Sequence, residues 1–283
     1  MSPGRESNEL GGCAGKSRGP AELVLLLGLL ALLSGVHQFH RWSLSALAPR
    51  IMEAYSLSEA QFGYLQTAYF TTYTLAMIAG GWLTDRVGAY WTLLFVAAGS
   101  VGGSLVFGWA GGVMLPMASL LLVRCGMGVL CAPLYPATSR TVAVRFPQRW
   151  QAVANGTVTA AAPLGIALAA PILGWLAREG GWARALSVAG WVTLPLVALW
   201  AWLGRGAAPG AWGAWGARST RGLGSLFRHG GMWSLALSYA AVGYYEYFLM
   251  GWLKYYFQVI RKVEDSKSDF YNALPNFAMM ALA

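Results

Sequence analysis

Gly80-Gly-Trp-Leu-Thr-Asp-Arg-Val-Gly88 joins two apolar runs, residues 62–83 and 91–113. Each run holds about the twenty residues that a helix needs to cross the hydrocarbon core of a bilayer. The nonapeptide is therefore read as a short polar turn between two membrane spans. Gly81 and Gly88 would let the backbone turn tightly and approach a neighbour, while Asp85 and Arg86 place opposite charges at the membrane edge, where water reaches them. Any charged turn between two helices shares that last property, so the motif gains weight from its spacing and its place after a second span.

The rest of the chain has the composition such a turn requires. Of 283 residues, 57% are hydrophobic and 11% are charged, with a mean hydropathy of +0.48. These values point to an all-α polytopic membrane protein with the lipid bilayer as its surroundings. A net charge of +9 would suit nucleic acid in a soluble chain. Here the charges lie between hydrophobic segments, so no nucleic-acid partner is expected. Cys13, Cys125 and Cys131 form neither a paired framework nor a metal-ligand spacing and are read as packing residues. Gly15-Lys-Ser17 resembles the end of a phosphate-binding loop but lacks the earlier glycine spacing and a preceding strand. With no nucleophile–base pair, metal cluster or cofactor loop in view, an enzyme is not expected, and neither is a cofactor or a metal.

Seven spans and the start of an eighth are predicted, over residues 23–48, 62–83, 91–113, 114–137, 154–177, 185–203, 232–257 and 270–283. Pro133, Pro136, Pro163, Pro171 and Pro195 fall inside them, as membrane helices allow when neighbours satisfy the freed carbonyls. Residues 1–22 read as a disordered cytosolic tail, 23–203 as an N-terminal six-helix bundle, 204–231 as a cytosolic linker, and 232–283 as the start of a second bundle. Lys and Arg set the orientation. With the N-terminus inside, eleven of them lie on the inner side: Arg5, Lys16, Arg18, Arg86, Arg140, Arg145, Arg149, Arg205, Arg218, Arg221 and Arg228. Six lie outside, namely Arg50, Arg178, Arg184, Arg261, Lys262 and Lys267, with Glu264, Asp265 and Asp269 to offset the last group. The N-terminus is therefore expected in the cytosol, where Asn155-Gly-Thr157 would not be glycosylated. Gly174-Trp-Leu-Ala-Arg-Glu-Gly-Gly181 echoes Gly81-Trp-Leu-Thr-Asp-Arg-Val-Gly88 on the opposite face, as an inverted three-plus-three repeat would produce.

Three basic residues remain, all within spans: Arg41, Arg124 and Lys254. Lys254 lies near the end of its span and can snorkel to the interface. A guanidinium keeps its proton at neutral pH and is costly in hydrocarbon, so Arg41 and Arg124 must each face a polar cavity, an acid or an anionic ligand. Their forked donors suit carboxylate or phosphate oxygens, and the structural alternative is a salt bridge that only holds helices together. His37 and His40, beside Arg41, are candidates to carry protons, although a lone helical histidine is more often a packing residue. Glu246, in Gly243-Tyr-Tyr-Glu-Tyr-Phe248, is the single acid in a predicted span interior and a candidate to neutralise an arginine or exchange a proton. Tyr244, Tyr245 and Tyr247 offer hydroxyls beside it, as do Tyr69 and Tyr73 on the second span, where aromatics also serve for packing.

The pattern Gly-x-x-x-Asp-Arg-x-Gly after a second span resembles the loop signature of the major facilitator superfamily. Further stretches are similar to its anion:cation symporter branch: His40-Arg-Trp-Ser-Leu-Ser-Ala-Leu-Ala-Pro49, Leu57-Ser-x-x-Gln61-x-Gly63, Tyr69-Phe-x-x-Tyr73, Arg124-Cys-Gly-Met-Gly128 with Pro133 and Pro136, Arg145-Phe-Pro147, Ala154-Asn-Gly156 and Trp252-Leu-x-Tyr255. The resemblance implies the major facilitator fold, cut within the eighth of twelve spans, and a monomer. It implies a secondary transporter of a small organic anion such as a sugar acid, coupled to a proton or sodium and working by alternating access. Arg41 and Arg124 occupy the positions that grip the carboxylate in that branch; Tyr69, Tyr73, Tyr244 and Tyr245, chosen for their hydroxyls, are further candidate substrate contacts. Gly81, Asp85, Arg86 and Gly88 form the gating loop, whose Asp85 would latch the bundle to a late helix.

Departures matter too. Many proton-coupled members carry acids where this chain has His40 and Cys131, which leaves Glu246, His40 and His37 as the coupling candidates. Ala89 and Tyr90 replace the usual pair of basic residues after the loop, and Pro163-Leu-Gly165 lacks the flanking glycines of drug–proton antiporters. A membrane sensor that binds without transport, or an inactive fragment, stands as the alternative.

Overall fold

The computed structural model describes residues 19–207 and 230–282, apart from the side chains at 78, 206, 207, 239, 281 and 282. The tail with Cys13 and Gly15-Lys-Ser17, and most of the expected linker, lie outside the described residues. Among those described, all regular structure is helical: α1 Pro20–Ala46, α2 Ala48–Tyr55, α3 Glu59–Val87, α4 Ala89–Gly112, α5 Met117–Cys131, α6 Leu134–Arg145, α7 Gln148–Leu203, α8 Gly230–Tyr255 and α9 Asp265–Leu282.

Local chemistry places the ends of these helices. Pro20, Pro116 and Pro147 stand at helix starts, where a missing N–H costs nothing. Ser58 and Gln61 form a reciprocal capping box at the start of α3: the Gln61 N–H donates to Ser58 Oγ at 3.3 Å, and the Ser58 N–H donates to Gln61 Oε1 at 2.9 Å. Pro133 interrupts the fourth predicted span, separating α5 from α6.

α7 unites the fifth and sixth predicted spans. Its 56 residues would extend about 84 Å as one straight helix, far more than a bilayer's hydrocarbon core. Gly181, at φ +78° and ψ +166°, breaks it into two arms. Two apolar cores show that the arms run side by side in opposite directions. One core contains Leu26, Leu30, Tyr90 and Leu93 with Val158 of the first arm and Trp200 of the second. The other contains Leu44, Ile51, Phe62 and Phe107 with Leu173 of the first arm and Leu186 of the second. The first core marks what we term the Asp85 end of the bundle and the second the Asp265 end.

Pro20–Ala46, Ala89–Gly112, Met117–Arg145 and Gln148–Leu203 are long and apolar enough to cross a membrane by length and composition. α3 is long enough at 29 residues but carries Gln66, Thr71, Thr72 and Thr74 among its apolar residues, and it packs against α5. Small residues allow the close packing. A Cβ on Gly128 of α5 would overlap Thr72 Oγ1 and the Tyr69 carbonyl of α3, and one on Gly165 of α7 would overlap the Gly35 backbone of α1.

The turn between the second and third predicted spans is shorter than expected. α3 remains helical to Val87, and the reversal is made at Gly88, at φ +89°, a region that favours glycine. Gly80, not Gly81, makes the close approach: its Cβ position lies 3.1 Å from Pro133 Cβ, whereas a Cβ on Gly81 would meet nothing within 4 Å.

Candidate functional site

α1, α3 and α5 bring the two predicted arginines to one place. Arg41 and Arg124 are 4% and 1% exposed. Tyr69 and Tyr73, one turn apart on α3, stack with centroids 5.8 Å apart and planes 18° apart. The Arg124 guanidinium lies over the Tyr69 ring at 4.5 Å, and that of Arg41 lies over Tyr73 at 4.4 Å and 5.7 Å from Tyr69. Each cation thus faces the negative side of a ring, worth about 1–2 kcal/mol where water is excluded.

Those rings do not neutralise the charges. Arg124 Nε donates to the Leu65 carbonyl at 3.5 Å and Nη2 to Gln66 Oε1 at 3.2 Å. Arg41 Nη2 donates to the Tyr247 hydroxyl at 2.7 Å, and its buried Nε has no partner. No carboxylate among the described residues pairs with either arginine. Both centres lie close to the Tyr69 centroid, so they are at most about 10 Å apart. At that spacing two like charges repel by roughly 2 kcal/mol at an effective dielectric of 20. An anion between them would relieve that repulsion and take up the spare donors.

Tyr247, rather than Tyr244 or Tyr245, reaches this site from α8. Tyr244 and Tyr245 are 77% and 66% exposed, with Tyr244 stacked on Phe248 of its own helix. Tyr247 instead packs on Trp42 and Phe70, with centroids 5.7 Å and 5.0 Å away. Its helical neighbours at i+3 and i+7 are Met250 and Lys254, both buried, so one stripe of α8 faces the bundle. Gln66, which bridges Arg124 and Ser45, and Gln38, which donates to the Tyr135 hydroxyl at 3.0 Å, were also missed. Each precedes a chosen residue by one turn, Tyr69 and Arg41 respectively, and that spacing would have found them.

The coupling candidates separate by environment. Both ring nitrogens of His40 are engaged inside the bundle, Nδ1 with Ser104 Oγ and Nε2 with Thr193 Oγ1, each at 2.8 Å. His37 Nδ1 meets Ser100 Oγ at 2.9 Å, and Ser100 in turn donates to the Val96 carbonyl. His37 is therefore the donor, and its buried Nε2 keeps an unpartnered lone pair. Glu246 is half-buried on α8 and lies within electrostatic range of Tyr135.

The loop charges do not pair with each other. Asp85 accepts from Arg140 of α6, and Arg86 lies over the Trp82 ring at 4.1 Å. Lys254 departs from the snorkelling expectation: it is 2% exposed and bonds to Asp265, at 2.8 Å, and to Asp269. Burial among α7, α8 and α9 closes the route to the interface, and the two carboxylates take the place of water.

The Major Facilitator Superfamily matches residues 30–283. The probable galactarate/D-glucarate transporter GarP of Escherichia coli (strain K12) is 30% identical over 194 residues, covering 65% of this chain and 42% of GarP. The D-galactonate transporter of Escherichia coli O6:H1 is 31% identical, over 56% of this chain and 36% of its own length. The probable sulfoacetate transporter SauU of Cupriavidus necator is 27% identical, over 62% and 40% respectively. The chain thus aligns with less than half the length of these relatives. Among solved structures, a bacterial homolog to the human lysosomal transporter Spinster, in an inward-facing and occupied conformation, superposes with a TM-score of 0.72 at 20% identity, covering 92% of this chain and 60% of the other. A family match over residues 30–283, together with the shared fold, establishes that this multi-pass, all-helical membrane chain belongs to the major facilitator superfamily.

Proposed function

We propose that this protein is a secondary transporter of a small organic anion, with a sugar-acid carboxylate held between Arg41 and Arg124 against the Tyr69–Tyr73 pair. The observation that carries the reading is two buried guanidiniums on the faces of stacked tyrosines with no carboxylate partner among the described residues. Relatives named for galactarate, glucarate and galactonate support a polyhydroxy acid as the substrate. Residues 23–203 act as the N-terminal bundle, 232–283 begin the second, and the Asp85 end faces the cytosol with the N-terminus. The site then lies between the two halves, which rock to expose it alternately. The unit is a monomer, coupled to a proton or sodium, with His37 and Glu246 as the first proton-carrying groups to test and His40 as the third.

Uptake of labelled galactarate and galactonate into liposomes tests this directly. Arg124→Gln is expected to lower uptake at least about thirtyfold, because truncating one partner of a buried charge contact costs about 2–5 kcal/mol. Normal uptake by that variant would end the proposal. Binding by the solubilised protein without accumulation in liposomes would favour a sensor instead. Uptake unaffected by both pH and sodium gradients would remove coupling.

A further inference from the structure

The Asp265 end carries a second charged cluster, separate from the paired arginines. Five charges from four helices meet there: Arg50 of α2, Arg178 of α7, Lys254 of α8, and Asp265 and Asp269 of α9. Asp265 touches all three cations, bonding to Arg50, to Lys254 at 2.8 Å and to Arg178 at 3.4 Å. Asp269 bonds to Arg178 at 3.0 Å and to Lys254. The cluster is built into the packing. The side chains of Lys254 and Asp269 are 2% and 4% exposed, and a Cβ on Gly174 of α7 would overlap the Asp269 carboxylate. Two of the cations belong to the first bundle, while the carboxylates and Lys254 belong to the segment after the linker.

Contacts between these parts crowd toward the same end. The Tyr255 hydroxyl donates to Glu59 at 2.7 Å, and Trp252 packs edge-on against Phe62. Toward the other end of α8, Leu235, Leu237 and Val242 are exposed. The two parts are therefore closed together at the Asp265 end and apart at the Asp85 end.

We propose that Asp265 is the keystone of an ionic latch that closes the Asp265 end, joining Arg50 and Arg178 of the first bundle to the α8–α9 segment. On the transporter reading, on which this rests, that end is the outer mouth. The latch breaks whenever the site opens outward. The titration of the two acids fits different duties. Burial pushes the Asp265 carboxyl up, but Lys254 and Arg50 outweigh it and hold it below its usual value. Its ionised form therefore favours the closed arrangement. Burial wins at Asp269, which lies above its usual value despite Lys254, so its neutral form favours the closed arrangement and the support that comes from ionisation rests on Asp265.

Cys131 is a built-in reporter, since it is buried beside Tyr69 and Tyr73 at the arginine site. In a Cys13→Ser, Cys125→Ser background of the full chain in liposomes, an impermeant thiol reagent is applied at the Asp265 face, without any substrate. Asp265→Asn should raise the rate of Cys131 labelling roughly tenfold, the loss of about one charge-assisted bond. Asp265→Glu should keep it low, and Asp269→Asn, which removes the charge that burial disfavours, should not raise it. Arg50→Gln provides an independent break from the other side of the seam, should Asp265→Asn fail to fold. Equal labelling in Asp265→Asn, Arg50→Gln and the unaltered chain would overturn the latch. A similar rise in Asp265→Glu and Asp269→Asn would overturn it as well, as general loosening. Because labelling is read without substrate, it stands or falls separately from uptake.

Discussion

Gly81–Gly88 and Gly174–Gly181 begin with the same Gly-Trp-Leu and end on glycines of nearly the same backbone conformation, φ +89° and ψ +151° against φ +78° and ψ +166°. They sit at opposite ends of the bundle and bear charges of opposite sign at matching positions, Asp85 against Arg178 and Arg86 against Glu179. Their partners differ in kind. Asp85 is 61% exposed and binds Arg140 of α6, whereas Arg178 of α7 binds two acids of α9. One backbone device thus serves a local brace at one end and a seam between two parts at the other. The charges and their burial decide which.

Removing each charge should break the comparison most clearly. Arg178→Gln leaves buried Asp269 with one cation fewer. It is expected to cost about 2–4 kcal/mol in unfolding of the detergent-solubilised protein, somewhat below a fully buried pair because Arg178 is 36% exposed. Gly88→Ala and Gly181→Ala test the shared conformation, and each should cost about 1–2 kcal/mol by thermal unfolding, since an L side chain strains at positive φ. If only one of them does, the two turns are not equivalent.

Gly81→Ala and Gly174→Ala should move in opposite directions. The first places a methyl in open space on a helix and should stabilise by about 0.5–1 kcal/mol; the second displaces the Asp269 carboxylate and should cost about 1 kcal/mol. Asp85→Asn, at an exposed pair, should change stability by less than about 1 kcal/mol.

A pH titration sharpens the contrast further. Asp269, held above its usual value, takes up a proton more readily when the seam is closed, so mild acidification from neutral should strengthen closure. Asp265, held below its usual value, supports closure at neutral pH and loses that support as pH falls through its depressed value. Cys131 protection should therefore pass through a maximum in mild acid. The rate divided by that of Arg50→Gln at the same pH cancels the ionisation of the thiol. Asp269→Asn should abolish the rising limb.

Much of this was legible in the sequence because bilayer physics is severe. Twenty-residue apolar runs have few alternatives, and an arginine in one demands a polar or anionic neighbour. Arg41 and Arg124 were legible for that reason, and Tyr69 and Tyr73 followed from one-turn spacing on α3. Rotation about α8 was not, because Tyr244, Tyr245 and Tyr247 are chemically alike and differ only in the side of the helix they occupy. Lys254 misled for a related reason: nothing in its own span shows that Asp265 and Asp269 fold back to cover it.

The sequence alone determined that the chain is a helical membrane protein, that its apolar segments are long enough to span a bilayer, and that it holds two cations which hydrocarbon will not tolerate bare. Those are local properties of composition, segment length and charge cost. Only the tertiary structure decided which ring faces which guanidinium, that Gly88 rather than the whole loop makes the turn, and that five charges from four helices meet at one end. Each of those outcomes depends on side chains far apart in the chain meeting at distances of a few ångströms, and helical periodicity does not encode which neighbour arrives.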